Sequence, residues 1–224
     1  MTVRAELVRV ARDPGPPYWL ELRVPADYTF AAGQYLTVHH PSGTDIPLSI
    51  ASPPAQLPAL MLRFQPTPGD PASDALVALL SEPVLSISAA QGAVCNFPRE
   101  TPMLILAGGS GVAQAFSLAG DRGAGAPTTV LWCVDEAEQA GDVGELETLP
   151  ATRVILKVDP RRNEENTGSQ WLAANAQHFG DAQLVLAGSP PFVHAMTDLL
   201  LDQGLEEGRL ASDVYAYAPR PPTA

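Results

Sequence analysis

Apolar and polar residues alternate along the first hundred positions with a period of two, the period of a strand that buries one face. Val3, Ala5 and Leu7 fall on one side of such a strand with Arg4 and Glu6 on the other, and residues 19–24 repeat the pattern. Shorter strand-like runs follow at 35–38, 60–64 and 84–88, separated by Pro, Gly and Asp clusters at 13–17, 41–45 and 66–71. Short strands at turn-sized spacing predict an antiparallel barrel or sandwich. One stretch departs from this texture. Ser73 stands as an N-cap before Ala75, Leu76, Leu79 and Leu80, whose spacing predicts a helix over 73–80.

Beyond residues 97–102 the period changes. An unbroken apolar run at 103–107 and similar, mainly apolar runs at 128–134, 153–158 and 183–187 each precede a helix-like stretch, the first over 112–119 and the most regular over 191–203. Continuous apolar strands alternating with helices predict a parallel sheet covered on both faces. The expectation is a two-domain β plus α/β chain, divided into 1–98 and 99–224, with no internal repeat of fixed period.

Composition narrows the partners. Hydrophobic residues make up 46% of the 224 residues and charged residues 17%, enough apolar material for two cores. Lys and Arg number 13 against 25 Asp and Glu, a net charge of −12 that offers no basic field for phosphates strung along nucleic acid. The 23 prolines are about twice the usual share of roughly 5%, and they stiffen turns without forming a Pro-x-x-Pro tract. No basic-then-apolar leader opens the chain and no apolar run suits a membrane span, so a cytoplasmic location without membrane association is expected. Cys95 and Cys133 are too far apart for a Cys-x-x-Cys pair and read as buried thiols. His39 and His40 would point to opposite faces of a strand, His178 and His194 stand alone, and no metal site is expected.

The candidate chemistry lies at strand ends. Gly108, Gly109, Ser110 and Gly111 sit between a buried strand and a helix, where missing side chains let a ligand approach the backbone beside free amides. No Lys-Ser/Thr follows as in a Walker loop, and the spacing is not G-x-G-x-x-G, so a ligand-free tight turn is an equal reading of this segment alone. Gly188, Ser189 and Pro190 close a second strand, and strand carboxyl ends of an open α/β sheet share one rim. Pro191 near a helix start also has a structural role.

Five segments in register carry a resemblance. Gly33-Gln-Tyr, Pro47-Leu-Ser-Ile-Ala-Ser, Gly108-Gly-Ser-Gly, Leu186-Ala-Gly-Ser-Pro-Pro and Asp213-Val-Tyr-Ala-Tyr resemble, in that order, motifs of the ferredoxin-NADP reductase superfamily, most of all its small NAD(P)H-flavin reductase branch. The resemblance implies a flavin-binding Greek-key barrel docked on a nucleotide-binding doubly wound domain. NADH or NADPH would pass a hydride to FAD or FMN, held or dissociable, in the cleft between them. The protein's share of such chemistry is distance, orientation and dryness.

Residue by residue, the resemblance places Ser49 beside flavin N5 as the catalytic residue. Tyr35 stands on the strand before the flavin, and the backbone of Pro47, Leu48, Ser49 and Ile50 lies against the polar edge of the ring. Gly108, Gly109, Ser110 and Gly111 would cradle the dinucleotide, with Gly188, Ser189 and Pro190 beside the nicotinamide half. A strand hydroxyl bonded to its own backbone is the other reading of Ser49. Tyr215 and Tyr217 are expected on one face of a last strand, with Tyr217 either stacked on flavin or packed in the core. The chain departs from the family pattern at Ile46, where relatives carry a flavin-phosphate arginine, at Leu48 in place of an aromatic, and at Ala187 where electron-transferring relatives often carry cysteine. Asp135 and Glu136 favour a free ribose, while Arg161 and Arg162 favour a 2′-phosphate. Three roles remain open: a flavin reductase, a reductase component that serves an oxygenase through a protein acceptor, and a non-catalytic subunit that keeps the scaffold.

Overall fold

The chain begins with β1 (Thr2–Ala11) and β2 (Tyr18–Arg23), followed by β3 (Tyr35–His39), β4 (Asp45–Ser49), β5 (Ala59–Phe64), α1 (Pro71–Leu79) and β6 (Val84–Ser88). A computed structural model describes residues 2–12, 17–92, 97–159 and 168–220. Cys95, Arg161, Arg162 and most of the turn expected at 13–17 lie outside the described residues. The six strands pair antiparallel in the order β4-β3-β6-β1-β2-β5. The two edge strands then meet: Ile50 bridges Leu62, and the Ala51 amide donates to the Met61 carbonyl at 2.8 Å. That closure makes the sheet a barrel and removes most of its open edge.

The predicted alternation is what fills it. Ala5, Leu20, Leu22, Leu36, Val38, Leu60, Leu62, Leu85 and Ile87 all point inward and are buried in one cluster. Leu76 and Leu79 of α1 join the same core. Ser73 is not the cap of α1. Asp70 is, its carboxylate accepting the Ser73 amide at 2.9 Å, and Pro71 occupies the first helical position where its missing N–H costs nothing. Ser73 is also a cap-forming type, and so the cap expected from the sequence lies three residues beyond the observed one.

The second half contains β7 (Met103–Gly108), α2 (Val112–Arg122), β8 (Thr128–Val134), α3 (Val143–Glu147), β9 (Thr152–Val158), α4 (Gly168–Asn175), β10 (Gln183–Ala187), α5 (Pro190–Asp202), β11 (Leu210–Ala211) and α6 (Val214–Tyr217). Its sheet is parallel throughout, in the order β11-β10-β7-β8-β9. Apolar side chains leave both faces: Ile105, Val130 and Trp132 pack under α2, while Leu104, Leu106 and Leu131 pack under α4 and α5. Winding reverses between β7 and β10, the crevice where open α/β sheets take their ligands.

The strand expected at 213–217 is the short helix α6, preceded by the two-residue β11. The alternation of Asp213-Val-Tyr-Ala-Tyr mimics a strand, but Val214 is buried in the core beside α5 and the Tyr215 hydroxyl lies 2.6 Å from Thr197 Oγ1 on that helix. The Ala216 and Ala218 amides then bond back to Asp213 and Val214 in helical fashion. Tyr215 and Tyr217 therefore do not share a strand face.

The two halves pack through α2. Ala32, Ala51, Trp19 and Met61 from the barrel side join one apolar cluster with Ala113, Phe116 and Leu118, and the Trp19 and Phe116 rings meet edge to face at 5.0 Å. The buried Ser117 hydroxyl donates to the Ser52 carbonyl at 2.8 Å and accepts the Gly33 amide at 3.3 Å. Arg122, at the far end of α2, donates to the carbonyls of Pro98, Arg99 and Thr101 and so fastens the connecting segment. Among the described residues no helix is long and apolar enough to cross a membrane.

Candidate functional site

Two glycine-bearing rims meet at the switch point. The backbone after β7 lies against the backbone after β10 so closely that a Cβ on Gly111 would stand 2.4 Å from the Ala187 carbonyl oxygen, and one on Gly188 would stand 3.0 Å from the Gly108 carbonyl oxygen. Gly188 also has φ +145, and Gly109 φ +52, values glycine adopts without strain. The Phe192 ring covers Gly108, leaving 2.7 Å for any Cβ there. These contacts require glycine for packing alone. Their result is a surface bare of side chains beside the starts of α2 and α5.

Above that surface lies a cavity of about 590 Å³. Gly108, Gly109, Ser110 and Ser189 line it, with Pro191 and Phe192 from α5, Cys133, Val134 and Asp135 from the end of β8, and Arg63, Gln65 and Thr67 from the barrel side. Pro190 does not line it. Pro190 starts α5, and its neighbour Pro191 is the proline that lines the cavity. Gly111 and Gly188 lie beneath the lining and bring the two rims together.

The lining suits a ligand with polar groups and a diphosphate. Amides near the helix starts and their dipoles favour anions. The Gln65 amide oxygen is buried and has no hydrogen-bond partner among the described residues, an acceptor available to a ligand hydroxyl or amide. Cys133 is half-buried with its sulfur against Gly168, and burial pushes its thiol up to about 12, with Lys157 pulling the other way. It is therefore a neutral packing group at ordinary pH. Asp135, Lys157 and Asp159 also line the cavity and bring charged groups to it.

The barrel contributes a different kind of surface. In the β3–β4 ladder Leu36 faces Leu48 and Val38 faces Ile46, and all four side chains are buried in the barrel core. Tyr35, Thr37, Pro47 and Ser49 fall on the opposite face. The Ile50 amide donates to the Gln34 carbonyl at 3.0 Å, and antiparallel alternation then gives the backbone groups of Leu48 and Ile46 to the same ladder. The backbones of Pro47 and Ser49 point away from β3, Ser49 toward the Ile50–Leu62 closure with β5, and a proline is accepted at 47 because β3 asks no ladder bond of its nitrogen. The expectation that all of Pro47 to Ile50 present backbone groups to a flavin is thus narrowed: the Ile50 amide and the Leu48 backbone are spent on β3. Ile46 and Leu48, two of the three departures from the family pattern, are core residues of the barrel.

Ser49 is half-buried, and its hydroxyl has no hydrogen-bond partner among the described residues. It is not a hydroxyl bonded to its own strand. Tyr35 lies opposite it, and Gly92 is held against the Tyr35 ring, where a Cβ would stand 3.1 Å from Cδ1. Asp213 reaches the same place, its Cβ 3.6 Å from that position, and Gln114 of α2 donates to its carboxylate at 3.0 Å. Burial raises the Asp213 carboxyl above its usual range, although the Gln114 bond opposes the shift. Tyr217 is 60% exposed, so it is not a core residue. Its phenol is raised by partial burial and by nearby Asp213 and Tyr35. The head of α2 thus joins the glycine cavity to the Tyr35–Ser49 surface.

Sequence reading missed Arg63, Trp132 and Asp142. Arg63 on β5 is 2% exposed and forms a two-pronged ion pair with Asp142, Nε to Oδ2 at 2.6 Å and Nη2 to Oδ1 at 3.0 Å. An arginine in an otherwise apolar strand, Ala59–Phe64, was the available signal.

No family model matches the chain. Its sequence is 27% identical over 215 residues to the reductase component 1 of terephthalate 1,2-dioxygenase from a Comamonas species, and 26% identical over 228 residues to component 2. Each match takes in 89% of this chain and 64% of the relative, so the chain spans less than two thirds of those proteins. In three dimensions it resembles the ferredoxin reductase of carbazole 1,9a-dioxygenase, with TM-score 0.78 and 18% identity over 95% of this chain and 69% of the other. An Amycolatopsis cytochrome P450 reductase gives 0.79 at 20% identity over the same shares. A ferredoxin-NADP+ reductase from Plasmodium falciparum gives 0.77 at 13% identity over 94% of this chain and 95% of that one. The fold is that of the ferredoxin-NADP reductases, a barrel followed by a doubly wound domain, and the resemblance drawn from the five motifs holds at that level.

Proposed function

We propose that the chain is the flavin- and pyridine-nucleotide-binding part of a reductase, with residues 1–98 holding FAD or FMN and residues 99–224 holding NADH or NADPH. The observation that carries this reading is the meeting of two glycine rims at the switch point, joined through Gln114 and Asp213 to the surface that bears Tyr35 and Ser49. When bound, the nicotinamide supplies a hydride and the flavin accepts it. The chain's own residues do the rest. The glycine turn leaves amides for the diphosphate, Gln65 accepts a hydrogen bond from the nucleotide, and Phe192 sets the depth of the cavity. Ser49 donates its unpaired hydroxyl to the reacting edge of the flavin ring, and Tyr35 and Tyr217 orient that ring. Ligand geometry in such a site counts for more than acid-base power.

The electrons then pass to a protein acceptor. By their names the Comamonas and carbazole relatives serve dioxygenases and the Amycolatopsis one a cytochrome P450, and the match takes in 64–69% of the length of each. The test is direct. Purified protein mixed with FAD, FMN or riboflavin and either NADH or NADPH should oxidise the nucleotide at least tenfold faster than the same mixture without protein. No acceleration with any pair would reject the reading and leave a non-catalytic subunit.

A further inference from the structure

Trp132 is the largest of the fully buried side chains, yet its indole N–H is directed at a turn of the cavity wall: it donates to the Gly109 carbonyl at 3.0 Å. The same carbonyl accepts the Val112 amide at the start of α2, so both of its lone pairs are engaged. A carbonyl held from two directions fixes its peptide plane. Because that peptide is planar and trans, the Ser110 N–H at its other end points away from the indole. Gly109 itself has φ +52 and nothing within 4 Å of where a Cβ would stand. What holds its carbonyl is the Val112 amide on one side and the indole on the other.

Over the indole ring stands Arg63, its guanidinium carbon 5.2 Å from the centroid, within cation–π range. Arg63 comes from the barrel and is gripped by the Asp142 carboxylate and by the Gln139 carbonyl at 2.6 Å. Gly109, Ser110 and Arg63 all line the cavity.

We propose that Arg63 and Trp132 are positioning residues for the pyridine nucleotide: Arg63, anchored on Asp142, holds the indole, and the indole holds the Gly109–Ser110 peptide with its amide set for the diphosphate. The inference rests on the function proposed above and adds that the barrel half governs affinity for a ligand of the other half.

Trp132→Phe keeps an aromatic ring beneath Arg63 and removes the N–H. Calorimetric titration with ADP, adenosine and NADH separates the possibilities. ADP and NADH affinities should fall about tenfold, the equivalent of about 1.4 kcal/mol, while adenosine binding stays within twofold. The KM for nucleotide should rise with kcat within twofold, and flavin titration should be unchanged. Arg63→Lys keeps the charge, loses the planar fork and should show the same pattern more weakly. The double variant should fall no further than Trp132→Phe, since both changes act on one peptide. Should Trp132→Phe fail to fold, Arg63→Lys carries the same comparison of ADP with adenosine. Equal losses for the two ligands, no loss, or additive losses overturn the proposal. A parent protein that binds neither NADH, NADPH nor ADP rejects the functional reading and this inference with it. A parent that binds them and variants that bind equally well reject the inference alone.

Discussion

At the end of β7 the backbone touches the backbone beyond β10, and a single added methyl at Gly111 would lie 2.4 Å from a carbonyl oxygen. At the edge of β4 the reverse holds: Pro47 is exposed, the Ser49 hydroxyl has no partner among the described residues, and both face away from the core that Ile46 and Leu48 fill. One surface is made by leaving side chains out, the other by choosing which residues of a ladder point outward. The first is intolerant of any added atom. The second depends on register, since a one-residue slip would turn Ile46 and Leu48 outward and bury Ser49.

The contrast is tested first where the effect is largest. In Gly111→Ala the new methyl meets backbone on β10, which cannot swing aside as a side chain can. Overpacking of this kind costs about 3 kcal/mol, and in a chain of this size each kcal/mol lowers Tm by about 2–4 °C. Thermal melting should therefore fall by about 10 °C, with nucleotide affinity lost alongside. Gly109→Ala is the internal control, because it has open space and only the left-handed φ to bear, at about 1–2 kcal/mol. If the two variants melt together, collision is not what keeps glycine at 111.

On the barrel side, Ser49→Ala should do the opposite. Removing a hydroxyl without a protein partner leaves stability within about 0.5 kcal/mol, while flavin reduction in a stopped-flow experiment slows about tenfold or more. A variant that reduces flavin at the parent rate would remove Ser49 from the chemistry, and one that melts far below the parent would remove it from the exposed face.

Much of this architecture is written in periodicity. The alternation of Val3, Ala5 and Leu7 and the unbroken run Met103–Gly108 each specify one kind of sheet, and β10 (Gln183–Ala187) matches its predicted limits. The β4 strand was hidden behind a motif, because Pro47 argues against a strand unless its N–H side faces an open edge. The glycine rims were visible as glycines, but which of them line the cavity and which are buried contacts depends on a backbone approach between segments 77 residues apart. Local pattern carries no such distance. Arg63 and Asp142 are 79 residues apart and were invisible for the same reason. The terminal motif misled by its form: Tyr215 and Tyr217 keep strand spacing, and only the Thr197 hydroxyl and the pocket for Val214 decide for a helix.

Asp213 gives the smallest predicted effect and the sharpest one, since it stands where the two surfaces join. Burial raises its carboxyl above the usual range near 4. The folded chain therefore holds a proton that the unfolded chain has released between the ordinary and the raised value, and stability falls as pH rises through that window. The contribution is complete below the ordinary carboxylate range and gone above the raised one. Asp70 works in the opposite sense, because the Ser73 amide lowers its carboxyl, so the parent's own pH profile mixes the two. Subtracting a variant isolates Asp213. Asp213→Asn carries no charge at any pH and keeps an oxygen for the Gln114 amide. Its Tm should equal the parent's in acid and rise above it by about 2 °C as pH passes through the window. An offset that is the same at every pH would mean that Asp213 is as ionisable in the fold as out of it, and that the junction between the cavity and the Tyr35–Ser49 surface is wet.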